Sequence, residues 1–102
     1  MAVRLMARTK RLARLIRDDA MRQKELGASG NKRLRRRIGE LRASSTEDAL
    51  MACPGKWHRV PYDWPGCLAG TVTGDARIIV ELREIGGEPA WLVLEIGHAY
   101  VH

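Results

Sequence analysis

The sequence predicts an α+β fold: an N-terminal strand and a two-helix hairpin packed on one face of a small, mainly antiparallel β-sheet. Three observations carry this expectation. Apolar residues in the first 43 positions recur at helical spacing, interrupted by Gly27-Ala28-Ser29-Gly30. After Gly55 the texture changes to short alternating runs separated by Pro and Gly. The two textures follow one another instead of alternating, which puts helices against a single sheet face. At 102 residues, one domain spanning 1–102 is expected.

The elements follow in order. Val3, Leu5 and Ala7 alternate with Arg4, Met6 and Arg8, a short strand. Thr9 caps a helix to about residue 26, where Gly27 offers a left-handed stop. Its apolar stripe is Leu12, Leu15, Ile16 and Ala20, with Arg11, Arg14, Arg17, Arg22 and Lys24 outside. Ser29 or Asn31 caps a second helix to about residue 43, with Leu34, Ile38 and Leu41 inward. The short break predicts an antiparallel helical hairpin. Ser44-Ser45-Thr46 before Glu47-Asp48 reads as the cap and acidic first turn of a short third helix. Strands are expected at 57–60, 68–73, 77–83 and 90–96, with a tight hairpin turn at Gly86-Gly87.

Composition narrows the classes. Hydrophobic content of 45% rules out wholesale disorder. No apolar run approaches the roughly 20 residues that span a bilayer, so no membrane role is expected. The first 17 residues carry six bases and no apolar core segment, so they read as mature protein and not as a signal peptide. Cys53 and Cys67 are too few for a disulfide framework; two reduced thiols in a cytoplasmic protein are expected, with a single bridge left open.

Charge divides the chain. Residues 1–43 hold 14 of the 18 Lys and Arg and four acids, a surplus of ten positive charges. Residues 44–102 hold four bases and eight acids, together with all three His and both Tyr. A basic helical half suits a polyanion, and the other half supplies proton-transfer groups. Nucleic acid is the expected partner, and chemistry on its backbone one task for it. The densest charge is Lys32-Arg33-Leu34-Arg35-Arg36-Arg37, whose side chains fan around a helix as a phosphate-binding surface. A charge run by itself is usually a solvated face or one that pairs with an acidic protein; here five of six residues share one sign, which brings the polyanion reading level with those. His58 is flanked by Lys56, Trp57, Arg59, Tyr62 and Asp63, while Arg77 opens a strand. His98, Tyr100 and His102 alternate at the end of the chain, so an extended tail would point all three one way. The sequence has no Gly-rich phosphate loop, no Cys-x-x-Cys, no His-Glu-x-x-His and no cluster of three carboxylates. Metal-free, cofactor-free chemistry is therefore expected.

Taken together, these residues resemble the RelE/ParE superfamily of bacterial type II toxins, and within it the HigB-like plasmid maintenance killer proteins. Pro54-Gly55, His58, Asp63, Gly66, Thr73-Gly74 and Arg77-Ile78-Ile79 fall on the family pattern without a gap from His58 to Arg77. Upstream, the strand, the paired basic helices, Leu41-Arg42-Ala43-Ser44 and Glu47-Asp48-Ala49-Leu50 are also similar, as is the closing stretch at 95–102. The resemblance implies a compact microbial ribonuclease fold that cuts messenger RNA on the ribosome without metal. It also implies neutralisation by a cognate antitoxin, often a helix-turn-helix DNA-binding protein. Three positions depart from the pattern: the family's lysine after the histidine is Pro61, its glycine is Tyr62, and the aromatic before the arginine is Ala76.

The expected mechanism uses three roles. His58 acts as base or acid, since imidazole, with an ordinary pKa of about 6.5, transfers protons both ways near neutrality. Arg77 steadies the pentacoordinate phosphate. His98 or His102 takes the complementary proton role, and Tyr100 stacks on a base or donates a proton. Lys32, Arg33, Arg35, Arg36 and Arg37 are expected on RNA or the ribosome, with Lys56 or Arg59 replacing the missing lysine. Two further readings stand beside this one: a non-catalytic toxin that binds DNA gyrase, and a basic nucleic-acid-binding module without toxicity.

Overall fold

The computed structural model describes residues 2–98 and shows an α+β domain built on one five-stranded mixed sheet. The chain runs β1 (Arg4–Ala7), α1 (Lys10–Arg17), α2 (Asp19–Ala43), α3 (Glu47–Met51), β2 (His58–Arg59), β3 (Leu68–Thr71), β4 (Arg77–Ile85) and β5 (Glu88–Gly97). The strand order is β1-β5-β4-β3-β2; the β1–β5 pair is parallel and the other three pairs are antiparallel. The hairpin turn falls on Gly86-Gly87, where Ile85 pairs with Glu88 and both glycines have positive φ, 60° and 81°. Two consecutive positive-φ residues match the twist of the strands they join, which side-chain-bearing residues rarely permit.

The helices cover one face. Leu12, Leu15, Leu34, Ile38, Leu41 and Leu50 pack with Leu68, Ile78, Val80, Trp91, Val93 and Ile96. The indole of Trp91 is fully buried, and its Nε1 donates to the Ser44 carbonyl at 2.8 Å, which ties the centre of β5 to the end of α2. The opposite face carries a smaller cluster: Val60, Cys67, Ala69 and Ile79, with Trp64 and Leu94 against it. Both cysteines are free, and burial, then the nearby Glu81 carboxylate, pushes the Cys67 thiol up from its ordinary range. Among the described residues no helix is long and apolar enough to cross a membrane.

The helical region departs from the expected pair in two places: neither Ser29 nor Asn31 caps a second helix, because helical residues resume directly after Gly27, and the first helix is itself divided. Asp18 interrupts the first helix: its backbone is extended (φ −107°, ψ 105°), and its carboxylate accepts from the Met21 N–H at 3.2 Å. A short carboxylate competes well for backbone donors, so the chain starts a second helix there. Arg22 is correspondingly not outside. It is buried, with Nη1 donating to the last carbonyls of α1, Leu15 O at 3.0 Å and Ile16 O at 2.8 Å. Its Nε donates to Asn31 Oδ1 at 2.8 Å. Asn31 in turn donates to Asp19, and this hydrogen bond is the main cause that lowers the Asp19 carboxyl below its usual range. Arg22 thus satisfies helix-end acceptors that would otherwise be orphaned.

Gly27 does break the helical path, as expected. Its φ of 72° and ψ of 177° belong to a region open essentially to glycine alone, and α2 bends there. A Cβ at Gly27 would meet nothing within 4 Å, so any penalty is conformational and not steric. Gly27→Ala is expected to lower stability by about 1–3 kcal/mol. Equilibrium urea unfolding checks this; an unchanged midpoint would mean that the bend relaxes without strain.

Candidate functional site

His58 lies on the edge strand β2, and its surroundings are set by glycines. At Gly70 on β3, a Cβ would fall 2.8 Å from the Trp57 ring, so only glycine lets the indole lie flat across the strand. At Gly55, a Cβ would fall 2.3 Å from Arg37 Nη1, 2.6 Å from Glu40 Oε1 and 2.7 Å from Trp57 Nε1. Those three groups form a buried polar lock. Trp57 Nε1 donates to Glu40 Oε1 at 2.7 Å, and Arg37 Nη1 donates to both Glu40 oxygens at 3.1 Å. The Gly55 carbonyl accepts from the Thr71 N–H at 3.0 Å. The 54–57 loop is therefore fixed on both α2 and β3.

Lys56, next in that loop, has φ 56°. This left-handed backbone is costly for a side-chain-bearing residue and turns its carbonyl toward the following strand. The Lys56 carbonyl and His58 Nδ1 lie 2.9 Å apart. A carbonyl oxygen can only accept, so Nδ1 carries the proton of this bond. In the neutral ring Nε2 is then the basic nitrogen, the tautomer that a general base requires.

Register places His58 and Arg77 on the same sheet face. His58 pairs with Ala69, Ala69 with Ile79, and Arg77 is two residues before Ile79 on β4. Directly paired residues share a face, as do residues i and i+2. Both therefore belong to the face away from the helices. Two strand spacings and two residues along the strand separate their Cα atoms by roughly 12 Å. Arg77 Nη1 donates to the carbonyls of Thr73 at 2.9 Å, Ala76 at 3.0 Å and Gly74 at 3.4 Å. That anchor holds the Nη1 end of the guanidinium at the turn end of the sheet. Gly97 of β5 pairs with Arg77 from the other side. β5 ends there, with φ 139° at Gly97, and His98 follows in an exposed bend. His98 thus departs beside Arg77. The alternation expected through Tyr100 and His102 lies outside the described residues.

The basic positions divide. Lys32, Arg33, Arg35 and Arg36 are exposed on the second half of α2, as expected. Arg37 corrects that expectation: it is 8% exposed and committed to Glu40, so it is not a docking residue. Its position was legible, because 34, 37, 38 and 41 form one helical stripe (i, i+3, i+4, i+7). Arg59 pairs with Leu68, which belongs to the helix-side core, so it lies on the face opposite His58. There it bonds Glu47 at 3.1 Å, and that carboxylate raises the guanidinium further above its ordinary range. Lys56 is exposed on the His58 side loop.

Two groups went unnoticed in the sequence. The Arg8 guanidinium stands 5.7 Å from the centroid of the Trp64 ring, in cation–π range. Trp64 belongs to the outer-face cluster, on the same side of the sheet as His58. The 55 residues between the two partners leave no local pattern for this pair.

What results is an open surface that offers an oriented imidazole, a braced guanidinium and exposed bases. Such a set can move a proton and hold an oxyanion. No family model, curated protein or solved structure matches this chain.

Proposed function

We propose that this protein is a type II toxin of the RelE/ParE superfamily with the RelE-like fold, HigB-like, and a metal-independent endoribonuclease that cuts messenger RNA on the ribosome. The observation that carries the reading is His58 on the outer sheet face with its Nδ1 held by the Lys56 carbonyl, two strands from Arg77 on that same face. The family motifs around His58 and Arg77 support it, as does the surplus of bases in the first 43 residues.

In this reading an RNA strand lies along the outer face from β2 toward the β3–β4 turn. His58 Nε2 takes the proton from a ribose 2′-OH. The 2′-oxygen attacks the adjacent phosphorus, and the bond to the 5′-oxygen breaks, leaving a 2′,3′-cyclic phosphate. Arg77 neutralises the phosphate through its Nε–Nη2 edge, a side-on fork that matches two phosphoryl oxygens. The leaving 5′-oxygen receives its proton from His98 or from the tail groups Tyr100 and His102. Lys32, Arg33, Arg35, Arg36 and Lys56 hold the surrounding polyanion. The partners are the ribosome with its mRNA and an antitoxin, and the setting is the bacterial cytoplasm.

A second reading, a non-catalytic poison of DNA gyrase, draws support from Pro61 and Ala76 in place of the family's lysine and aromatic; Ala76 is buried in the main core. Expression in a bacterium without the antitoxin separates the two. The ribonuclease reading expects growth arrest with shortened ribosome-bound mRNA and intact DNA. Broken DNA with intact mRNA overturns it in favour of the gyrase reading, and unimpaired growth removes both.

A further inference from the structure

We propose that the 60–67 loop is a base-stacking platform for single-stranded RNA, with Tyr62 and the Arg8–Trp64 pair as its stacking groups. This deepens the reading above by naming the strand form the outer face selects.

The loop is built as a support. Val60 and Cys67, at its two ends, are buried, and Trp64 packs with them on Ala69 and Ile79 of the outer face. The Trp64 N–H donates to Val60 O at 2.9 Å, and the Cys67 N–H donates to Trp64 O at 3.0 Å. The loop therefore curls inward at Val60, Trp64 and Cys67 and holds its crest outward. Tyr62 stands on that crest, 97% exposed. A single exposed aromatic is ordinary on a protein surface. Tyr62 differs by its placement. It is four residues beyond His58, on a loop anchored over the face that carries His58 and Arg77. Arg8 reaches the same loop from the far edge of the sheet and holds its guanidinium 5.7 Å from the centroid of the Trp64 ring.

Flat aromatic and guanidinium surfaces bind bases through their π-faces, and only unpaired bases present those faces. The charge around the platform is mixed but positive on balance, which suits a phosphate backbone: Arg8, Lys56, Arg77 and Arg83 stand against Asp63 and Glu81, and Glu81 is paired with Arg83. An A-form duplex, whose bases are stacked on one another, gains nothing from Tyr62. The platform thus favours single strands.

Fluorescence anisotropy with a labelled single-stranded 2′-O-methyl RNA tests this, because the probe binds without being cut. Tyr62→Ala is expected to weaken binding by about 5- to 100-fold, since stacking on one base is worth about 1–3 kcal/mol. Tyr62→Phe, which keeps the ring, stays near wild type, and Arg8→Ala weakens binding in the same direction. A duplex of the same sequence binds more weakly and ignores Tyr62→Ala. Unchanged single-strand affinity in Tyr62→Ala overturns the platform and leaves Tyr62 as a contact for a protein. Equal loss on duplex and single strand overturns it too, as a loss of charge or fold alone. The ribonuclease reading fails separately. If His58→Ala cuts RNA like wild type while Tyr62→Ala still loses single-strand affinity, the platform stands and the catalytic assignment falls.

Discussion

His58→Ala is expected to lower RNA cleavage by about 10²–10⁴-fold, the usual contribution of one positioned general base, and to release a host cell from growth arrest. The side chain is exposed, so thermal unfolding should change little and the loss should fall on chemistry. The size of the effect rests on orientation as much as on the imidazole. Lys56 spends left-handed backbone to aim its carbonyl at Nδ1, and the 54–57 loop is clamped by the Arg37–Glu40–Trp57 lock. Arg77→Ala should act on the same step, by about 10²–10³-fold if it steadies the oxyanion. Its Nη1 also closes the Thr73–Ala76 turn, so a circular dichroism melt must accompany the assay. Arg77→Lys separates the two functions: the charge persists, but the side-on fork is gone.

Glu40→Ala is expected to be the most damaging substitution to the fold among the polar residues, by about 3–5 kcal/mol. Arg37 and Glu40 are both largely buried, with side chains 9% and 14% exposed. Removing the carboxylate leaves a guanidinium desolvated without a counter-charge and the Trp57 indole N–H without its acceptor. Among the described residues Arg37 Nε has no hydrogen-bond partner, so none of them offers a spare acceptor there. The double variant Arg37→Met, Glu40→Gln should recover most of the loss, because no charge is then buried and Gln still accepts from Trp57. Urea unfolding of the single and double variants checks both halves. A single variant near wild-type stability would show that the loop yields and lets water reach Arg37.

Much of the fold was legible because local signals agreed with the global arrangement. Gly27, Gly86 and Gly87 all adopt the positive φ that their positions suggested. Thr9 and Thr46 cap their helices through their hydroxyls, and the strong apolar run at the end became the ten-residue β5. The misses have a common physical origin. Arg22 and Arg37 both lie on helical stripes beside buried leucines, where charge by itself suggests exposure. Each is buried against a specific acceptor set, helix carbonyls for one and Glu40 for the other, and those acceptors become neighbours only after folding. Asp18 fits the helical pattern around it, but its short carboxylate is a strong cap and divides the helix there.

The site was legible in its members more than in its geometry. His58 and Arg77 stood out by their company and order. Their shared face depends on the β2–β3–β4 register, which no local pattern encodes. Arg59, adjacent to His58 in sequence, falls on the other face because strand side chains alternate. The hold of the β3–β4 turn on Arg77, the Lys56 carbonyl behind His58 and the Arg8–Trp64 contact are likewise tertiary facts.

The central claim is that His58 draws the proton from a ribose 2′-OH while Arg77 holds the neighbouring phosphate. The direct measurement is the rate and end chemistry of ribosome-bound mRNA cleavage, with the nucleotide at the cut either ribose or 2′-deoxyribose. The expected result is a 2′,3′-cyclic phosphate end from the ribose substrate, no cut at the deoxy position, and a cut lost in His58→Ala. Cleavage that proceeds at full rate without the 2′-hydroxyl, or undiminished in His58→Ala, would contradict it.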